Sequence, residues 1–350
     1  MTEHIAPLRL SLSIDALQSN WRWLAAQSGG AACGAAVKAN AYGLGARGAV
    51  EHLQNAGCRD FFVASWAEAA DILPLLADDA GLSVLHGVRD DDMAMAAASR
   101  ARPVLNSIEQ IARWRQAGEG RPCDVMVDTG MSRLGLTMDE ALSGALDGLP
   151  VRTLLSHLAS ADEDVPQNAE QLARFQALKA GITADRYSLS NSAGICLGAD
   201  YAFDLTRPGL ALYGGIARDA CLGHIRQVVF PEVQVLQTRT VKAGAPVGYN
   251  ATYTPRQDQR IAIINLGYAD GYLRCFSGGK GGAHFEGQAL KLVGRVSMDL
   301  VALAILEDCA VTAGDWVAID YDLPATAAAS GLSQYELLTG LGARYDRIWG

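Results

Sequence analysis

Lys38 closes a short apolar run, Ala35-Ala36-Val37, and is followed by Asn40, Tyr42, Gly43 and Gly45. A lysine is almost never fully buried unless something pairs with it or reacts with it. One delivered by an apolar strand into a glycine-bearing turn can point into a cleft. There, partial desolvation lowers its pKa, and the neutral amine can attack a carbonyl to form a Schiff base. The competing reading is a lysine that snorkels to water at a strand end. Further polar residues follow other apolar runs: Asp128 to Arg133 in DTGMSR, His157, Asn191-Ser192, and Arg207 before Pro208-Gly209. Each also has an ordinary role. His157 could be a satisfied core histidine, Arg133 a solvated loop charge, Ser192 the cap of a helix opened by NSAG, and Arg207 a brace for its own turn.

Whether these residues meet depends on the elements that carry them. Short apolar strands are expected at 31–37, 60–65, 82–86, 102–105, 123–128, 151–156, 187–190 and 203–206, separated by helical stretches such as Glu170 to Ala180. Eight strand-then-helix repeats are the count of a (β/α)8 TIM barrel, which places its chemistry at the C-terminal ends of the strands. A doubly wound sheet would have fewer strands and usually a GxGxxG after the first, which is absent. From about residue 225 the texture is β-rich. Strands are expected at Val233 to Val241, Arg260 to Leu266, Ala289 to Val296, Leu300 to Ile305 and Trp316 to Ile319, with a single short helix, Gln334 to Leu338. Leu8 to Ile14 alternates apolar and polar residues, a pattern for a strand with one wet face. Asp15 is expected to cap the helix after it. The domain expectation is a barrel over 12–228 and a β-rich domain made of 1–11 and 229–350.

The chain's 350 residues carry a net charge of −9, which argues against nucleic-acid binding and against an anionic membrane surface. No secretory signal and no membrane span is visible. The seven cysteines are scattered and never form CxxC, and the histidines form no HxxxH or HExxH pattern, so neither a disulfide framework nor a metal site is expected. This usage fits a reducing cytoplasm.

At one barrel rim the candidates make chemical sense as a set. Ser192 and the amides around Gly209 suit a phosphate. Together with a lysine, an arginine for a ring nitrogen and the phenol of Tyr42, they describe pyridoxal phosphate chemistry. An aldolase-type lysine without a cofactor stays open on these residues. No GxSxG elbow is present, which disfavours a Ser-His-Asp hydrolase.

VKANAYGLG, DTGMSRLG, SHLASAD, SNSAG, TRPGLALYG, VGYNATYT, LGYADGYLR and VGRVSMDL occur in the order and rough spacing of the bacterial alanine racemases, pyridoxal-phosphate-dependent enzymes of fold type III. The chain resembles that family over nearly its whole length. The resemblance implies interconversion of L- and D-alanine by two-base proton transfer at the α-carbon of a pyridoxal 5′-phosphate aldimine, for peptidoglycan or for catabolism. Lys38 would hold the cofactor and serve the D-side, and Tyr249 of the partner subunit would serve the L-side in a homodimer with shared active sites. Tyr42, Ser192, Gly209 and Leu210 would bind the phosphate, Arg207 the pyridine nitrogen, and His157 would support Arg207. Arg133 would contact the cofactor's phenolic oxygen and the substrate carboxylate. The backbone amide of Met298 would face the same carboxylate, and Tyr268 would narrow the entry. A serine or broader-specificity racemase, a decarboxylase, and a pyridoxal phosphate carrier protein are the alternatives. Two positions depart from the family pattern. Met126 stands where many members carry a carbamylated lysine that orients the Arg133 equivalent, leaving Asp128, a chloride or another carboxylate as anchors. Ala343 falls opposite a phosphate-binding tyrosine, so neighbouring Tyr345 carries no assigned role.

Overall fold

The computed structural model describes residues 6–350, so residues 1–5 of the expected 1–11 segment lie outside the described residues. Contacts divide the chain into two units, one spanning Ala16–Arg226 and the other made of the segment ending at Asp15 together with Gln227–Gly350.

The first unit holds the eight expected strands among the described residues. The first barrel strand is split by Gly34 into Ala32–Cys33 and Ala35–Ala36. It is followed by Asp60–Val63, Gly81–Val84, Arg102–Leu105, Cys123–Met126, Val151–Leu155, Arg186–Ser188 and Leu205–Thr206. Neighbours pair in parallel from Ala35–Ala36 through Arg186–Ser188, and Leu205–Thr206 pairs with Ala32–Cys33. Hydrogen bonds from Asp204 N–H to Tyr187 C=O (3.0 Å) and from Arg207 N–H to Ser190 C=O (2.9 Å) complete the ring. The strands are only two to five residues long, enough to pass through a barrel core and deliver the next residue to the rim.

Inside, Phe62, Val104, Leu155 and Leu205 come from the second, fourth, sixth and eighth strands and pack with Met126. Alternate strands supplying one layer is the filling rule of this barrel. A second interior group is polar. Arg186 forks onto Asp60 with its Nη2 and Nη1 (2.6 and 3.0 Å), and Asp124, fully buried, accepts from Ser83 Oγ at 2.5 Å.

In the second unit, Val229–Val241 is 13 residues long and pairs with Gln259–Ile264, Trp316–Ile319 and Leu8–Leu12. Val301–Ala304, Gln288–Val293 and Gly282–Phe285 complete an antiparallel circuit, and Asp346–Trp349 adds to Leu8–Leu12 in parallel. The alternation in the first strand is structural: Leu8, Leu10 and Leu12 are buried, while Arg9 faces its cross-strand partner Glu232 through two 3.0 Å hydrogen bonds.

Several local expectations are corrected. The first strand ends at Leu12 and the helix runs Ile14–Gln27, so Asp15 sits in its first turn and does not cap it. A second helix, Leu323–Ser330, precedes Gln334–Thr339; Asp322 caps it and Pro324 opens it, within an alanine-rich stretch that shows no amphipathic period.

Candidate active site

Lys38 leaves the first barrel strand and opens the turn Lys38–Tyr42. The next four residues, Ala39, Asn40, Ala41 and Tyr42, have φ of 52°, 54°, 53° and 54°. A left-handed turn costs L-residues roughly 1–2 kcal/mol each, so the surroundings must over-determine it. Ala41 N–H donates to Val37 C=O, and Gly43 N–H to Ala39 C=O, both at 2.9 Å. Asn40 Oδ1 accepts from Ala46 N–H at 2.8 Å, capping the following helix Ala46–Ala56. Glu68 Oε1 accepts from Ala39 N–H at 2.7 Å, and Oε2 accepts from Ala64 and Ser65 N–H at 2.7 and 3.3 Å. One carboxylate therefore ties the lysine turn to the capping box of the helix Trp66–Ile72. The amine of Lys38 is half-buried. Its pKa is lowered first by that burial and then by the Arg133 charge; Glu68 opposes the shift and Arg207 adds to it.

The residues expected on the phosphate side form a cup. Ser192, 2% exposed, accepts on its hydroxyl from Gly209 N–H (2.9 Å) and Ala211 N–H (3.2 Å). It does not cap the NSAG turn; Asn191 Oδ1 takes Gly194 N–H at 2.9 Å instead. Leu210 is the first residue of the turn Leu210–Tyr213, where a backbone N–H has no acceptor within the turn. A Cβ placed on Gly209 would lie 2.2 Å from the Tyr42 hydroxyl. Glycine is what lets that phenol reach the amides. Tyr42 is held from behind by Tyr213, ring centroids 5.0 Å apart, whose own hydroxyl donates to Ala36 C=O at 2.9 Å.

Arg207 is buried, and its guanidinium donates to Ser188 Oγ and Ser156 C=O, each at 2.5 Å. Both partners are neutral, and burial pushes its pKa down to about 10. His157 lies among the same cations: burial, then Arg207, Arg133 and Lys38, push it down to about 3, so its imidazole is neutral at pH 7. Its carbonyl accepts from Gln171 Nε2 at 3.0 Å. Arg133 is exposed, and Asp128 does not anchor its guanidinium. The Asp128 carboxylate is engaged by the N–H groups of Gly130 (2.7 Å), Met131 (2.8 Å) and Arg133 itself (3.0 Å).

The remaining candidates lie in the second unit. Tyr249 opens the turn Tyr249–Ala251 and is 63% exposed, with Met298 53% and Tyr268 36% exposed. Tyr268 and Met298 are neighbours through backbone pairs: Tyr268 N–H to Ser297 C=O (3.1 Å) and Ala269 N–H to Met298 C=O (3.0 Å). Arg344 clamps both loops, donating twice to fully buried Asp270 and once to Asp299, all at 2.7 Å. Tyr345 is buried in this unit, and burial raises its hydroxyl pKa well above the usual range.

The family model for the alanine racemase N-terminal domain matches residues 12–217, and that for the alanine racemase C-terminal domain matches residues 228–349. The chain belongs to the alanine racemase family. It is 41% identical to an alanine racemase of Rhizobium meliloti, covering 98% of this chain and 97% of that protein. It is 42% identical to a catabolic alanine racemase of Agrobacterium fabrum, covering 97% and 91% of the two chains. Among solved structures, the alanine racemase of Bartonella henselae with covalently bound pyridoxal phosphate superposes with a TM-score of 0.91 at 35% identity, over 99% of this chain and all of that one.

Against the pattern of alanine racemases, Met126 is an apolar member of the barrel layer, packed with Phe62, Val104, Leu155 and Leu205. Nothing carbamylated can form there. Sequence reasoning missed Glu68, Ser156, Ser188 and the Asp270–Arg344 clamp. Ser65-x-x-Glu68 is legible as a capping box, but its grip on Ala39 comes only from the fold.

Proposed function

We propose that this chain is a pyridoxal 5′-phosphate-dependent racemase that interconverts L- and D-alanine, working as a cytoplasmic homodimer with shared sites. The observation that carries the reading is the barrel rim itself: a lysine with a depressed pKa beside a cup of amides built around Ser192 and Gly209, with buried Arg207 facing the same space. The donor set fits the cofactor. Backbone amides and the Tyr42 phenol suit a phosphate, the Lys38 amine suits an aldehyde, and Arg207 suits a ring nitrogen. When bound, pyridoxal phosphate supplies an electron sink that makes the substrate α-proton removable.

The chain's own residues would do the rest. Lys38 Nζ would hold the cofactor and then accept or return a proton on one face of the α-carbon. Its lowered pKa serves that task, since an amine with an ordinary pKa near 10 stays protonated at neutral pH. Arg207, still cationic at neutral pH, would donate to the ring nitrogen without protonating it, which moderates the electron sink and restrains side reactions. His157, neutral, would sit beside it without adding charge. Arg133 and the Met298 amide would orient the substrate carboxylate, and Tyr268 would narrow the entry.

A second base is needed on the opposite face, because one base would otherwise have to swing around the α-carbon. Tyr249 of the partner subunit would serve there. Tyr268 and Met298, exposed on neighbouring loops of the second unit, and exposed Tyr249 are available to a partner subunit, which supports a paired assembly. On this reading the domains are a cofactor-binding barrel over 12–228 and a β-rich domain, 1–11 with 229–350, that completes the partner's site.

The test is racemisation of alanine by the cofactor-loaded chain, with α-proton exchange followed in deuterated water. Tyr249→Phe should cut exchange from L-alanine by about 10²–10⁴-fold, the usual worth of a general base, while the cofactor's absorbance band persists. Normal exchange in both directions would remove Tyr249 from its role, and absence of the band in the parent chain would remove the cofactor.

A further inference from the structure

The scattered cysteines do not stay apart. Cys196 Sγ lies 3.7 Å from Cys221 Sγ although the two are 25 residues apart in sequence, and either sulfur can donate the proton between them. Cys196 is partly exposed in the turn Gly194–Leu197, just after Ser192, and Cys221 is buried at the end of the turn Asp219–Cys221. Cys33 and Cys123, by contrast, are buried thiols that desolvation pushes up to about 12.

We propose that Cys196 and Cys221 are a reversible dithiol–disulfide site, oxidised by a hydroperoxide, that staples the turn behind Ser192 to the loop after the eighth barrel strand. Closing from 3.7 Å to a disulfide length of about 2.05 Å requires a movement that two short turns can share. Each turn is followed by a glycine in the left-handed region with open space around it, Gly198 (φ 120°) and Gly223 (φ 75°), so the adjustment stays local. The first proton also leaves this pair below the usual thiol range. That thiolate is Cys221: the Cys196 thiol donating to it stabilises it against the cost of burial, and the amides of Arg218 and Ala217 and the nearby His224 add to the effect.

The chemistry balances in two steps. The accessible Cys196 sulfur attacks the peroxide oxygen as its proton passes to the neighbouring Cys221 thiolate; the O–O bond breaks, the leaving oxygen takes a proton to become water or an alcohol, and Cys196 becomes a sulfenic acid. Cys221 sulfur then attacks the sulfenic sulfur, the S–O bond breaks, and water leaves with the Cys221 proton. Two electrons pass from the two sulfurs to one peroxide, and a small thiol reverses the step by exchange.

The full-length chain, treated with stoichiometric hydrogen peroxide and then alkylated in denaturant, should lose two of its seven thiols and two hydrogens of mass. Peptide mapping should join the Cys196 and Cys221 peptides, dithiothreitol should restore both thiols, and Cys196→Ser or Cys221→Ser should abolish the link. Retention of all seven thiols would overturn the proposal, as would a link through other cysteines, or sulfinic acid accumulating on either residue without a cross-link. Peptide mapping of the parent chain decides the matter even if a serine variant folds poorly. The readout is covalent, so its failure leaves the racemase reading standing.

Discussion

The cup around Gly209 invites a test whose size follows from geometry. In Gly209→Ala the new methyl would sit 2.2 Å from Tyr42 Oη, 2.8 Å from Cζ and 3.4 Å from Cε2. Gly209 has a φ of −133°, outside the left-handed region, and the clash to be resolved is with the Tyr42 side chain. Tyr42 must move, yet it is 7% exposed and backed by Tyr213, which is fully buried and fixed to Ala36 C=O. Overpacking a site that cannot relax costs about 1–3 kcal/mol. The strain falls on the phenol and on the amide that Ser192 orders, so cofactor affinity should drop by about 5- to 150-fold. Spectrophotometric titration of the apo-protein with pyridoxal phosphate reads this directly. Tyr42→Phe removes the atom at 2.2 Å but leaves the ring carbon at 2.8 Å, so Gly209→Ala with Tyr42→Phe should recover part of the loss. A double-mutant cycle would then show a coupling above about 0.5 kcal/mol. Parent-like affinity in Gly209→Ala, or strict additivity in the cycle, would refute the idea that this glycine exists to admit that phenol.

Other outcomes follow from the same contacts. Asp60→Ala leaves the Arg186 fork uncompensated inside the barrel and should cost about 3–5 kcal/mol in chemical denaturation, whereas a loss below 1 kcal/mol would mean water already reaches the pair. His157 is held near 3 in the folded protein against an ordinary 6.5, so the unfolded chain binds more protons between those values and stability falls as pH drops through that window. In cofactor-free protein, His157→Gln should therefore lose less stability than the parent between pH 7 and pH 4, by more than about 1 kcal/mol; parallel curves would contradict a buried neutral imidazole. Met126→Leu should cost under about 1.5 kcal/mol, while Met126→Lys should destabilise by at least ~2 kcal/mol because it sets an ammonium in the apolar layer. Equal melting of those two variants would show that the layer is wet.

Most of the barrel was legible because each strand is a short apolar run between helical stretches, and the rim residues follow those runs directly. What escaped were contacts made across the ring. Ser192 reads locally as a cap, yet its hydroxyl serves amides 17 and 19 residues away while Asn191 takes the local job. Asp128 reads as a charge partner for Arg133, yet the spacing in Asp128-Thr129-Gly130-Met131 lets the carboxylate collect the amides of its own loop. The helix Leu323–Ser330 escaped a search for periodicity because alanines fill both of its faces; its signals were the caps, Asp322 before and Gly331 after.

Lys38 illustrates how a local demand recruits distant residues. A lysine that must give up its proton near neutral pH gains from burial and from cations, and Arg133 and Arg207 provide them. The strained left-handed turn after it needs an acceptor for Ala39 N–H, and the acceptor supplied is a carboxylate, the one group that works against the shift. The geometry limits that conflict. Glu68 takes N–H donors from Ala39, Ala64 and Ser65 across its two oxygens, so its lone pairs are engaged by fixed backbone dipoles. Part of its charge is answered by those donors, and the carboxylate can hold the turn without recapturing the lysine proton.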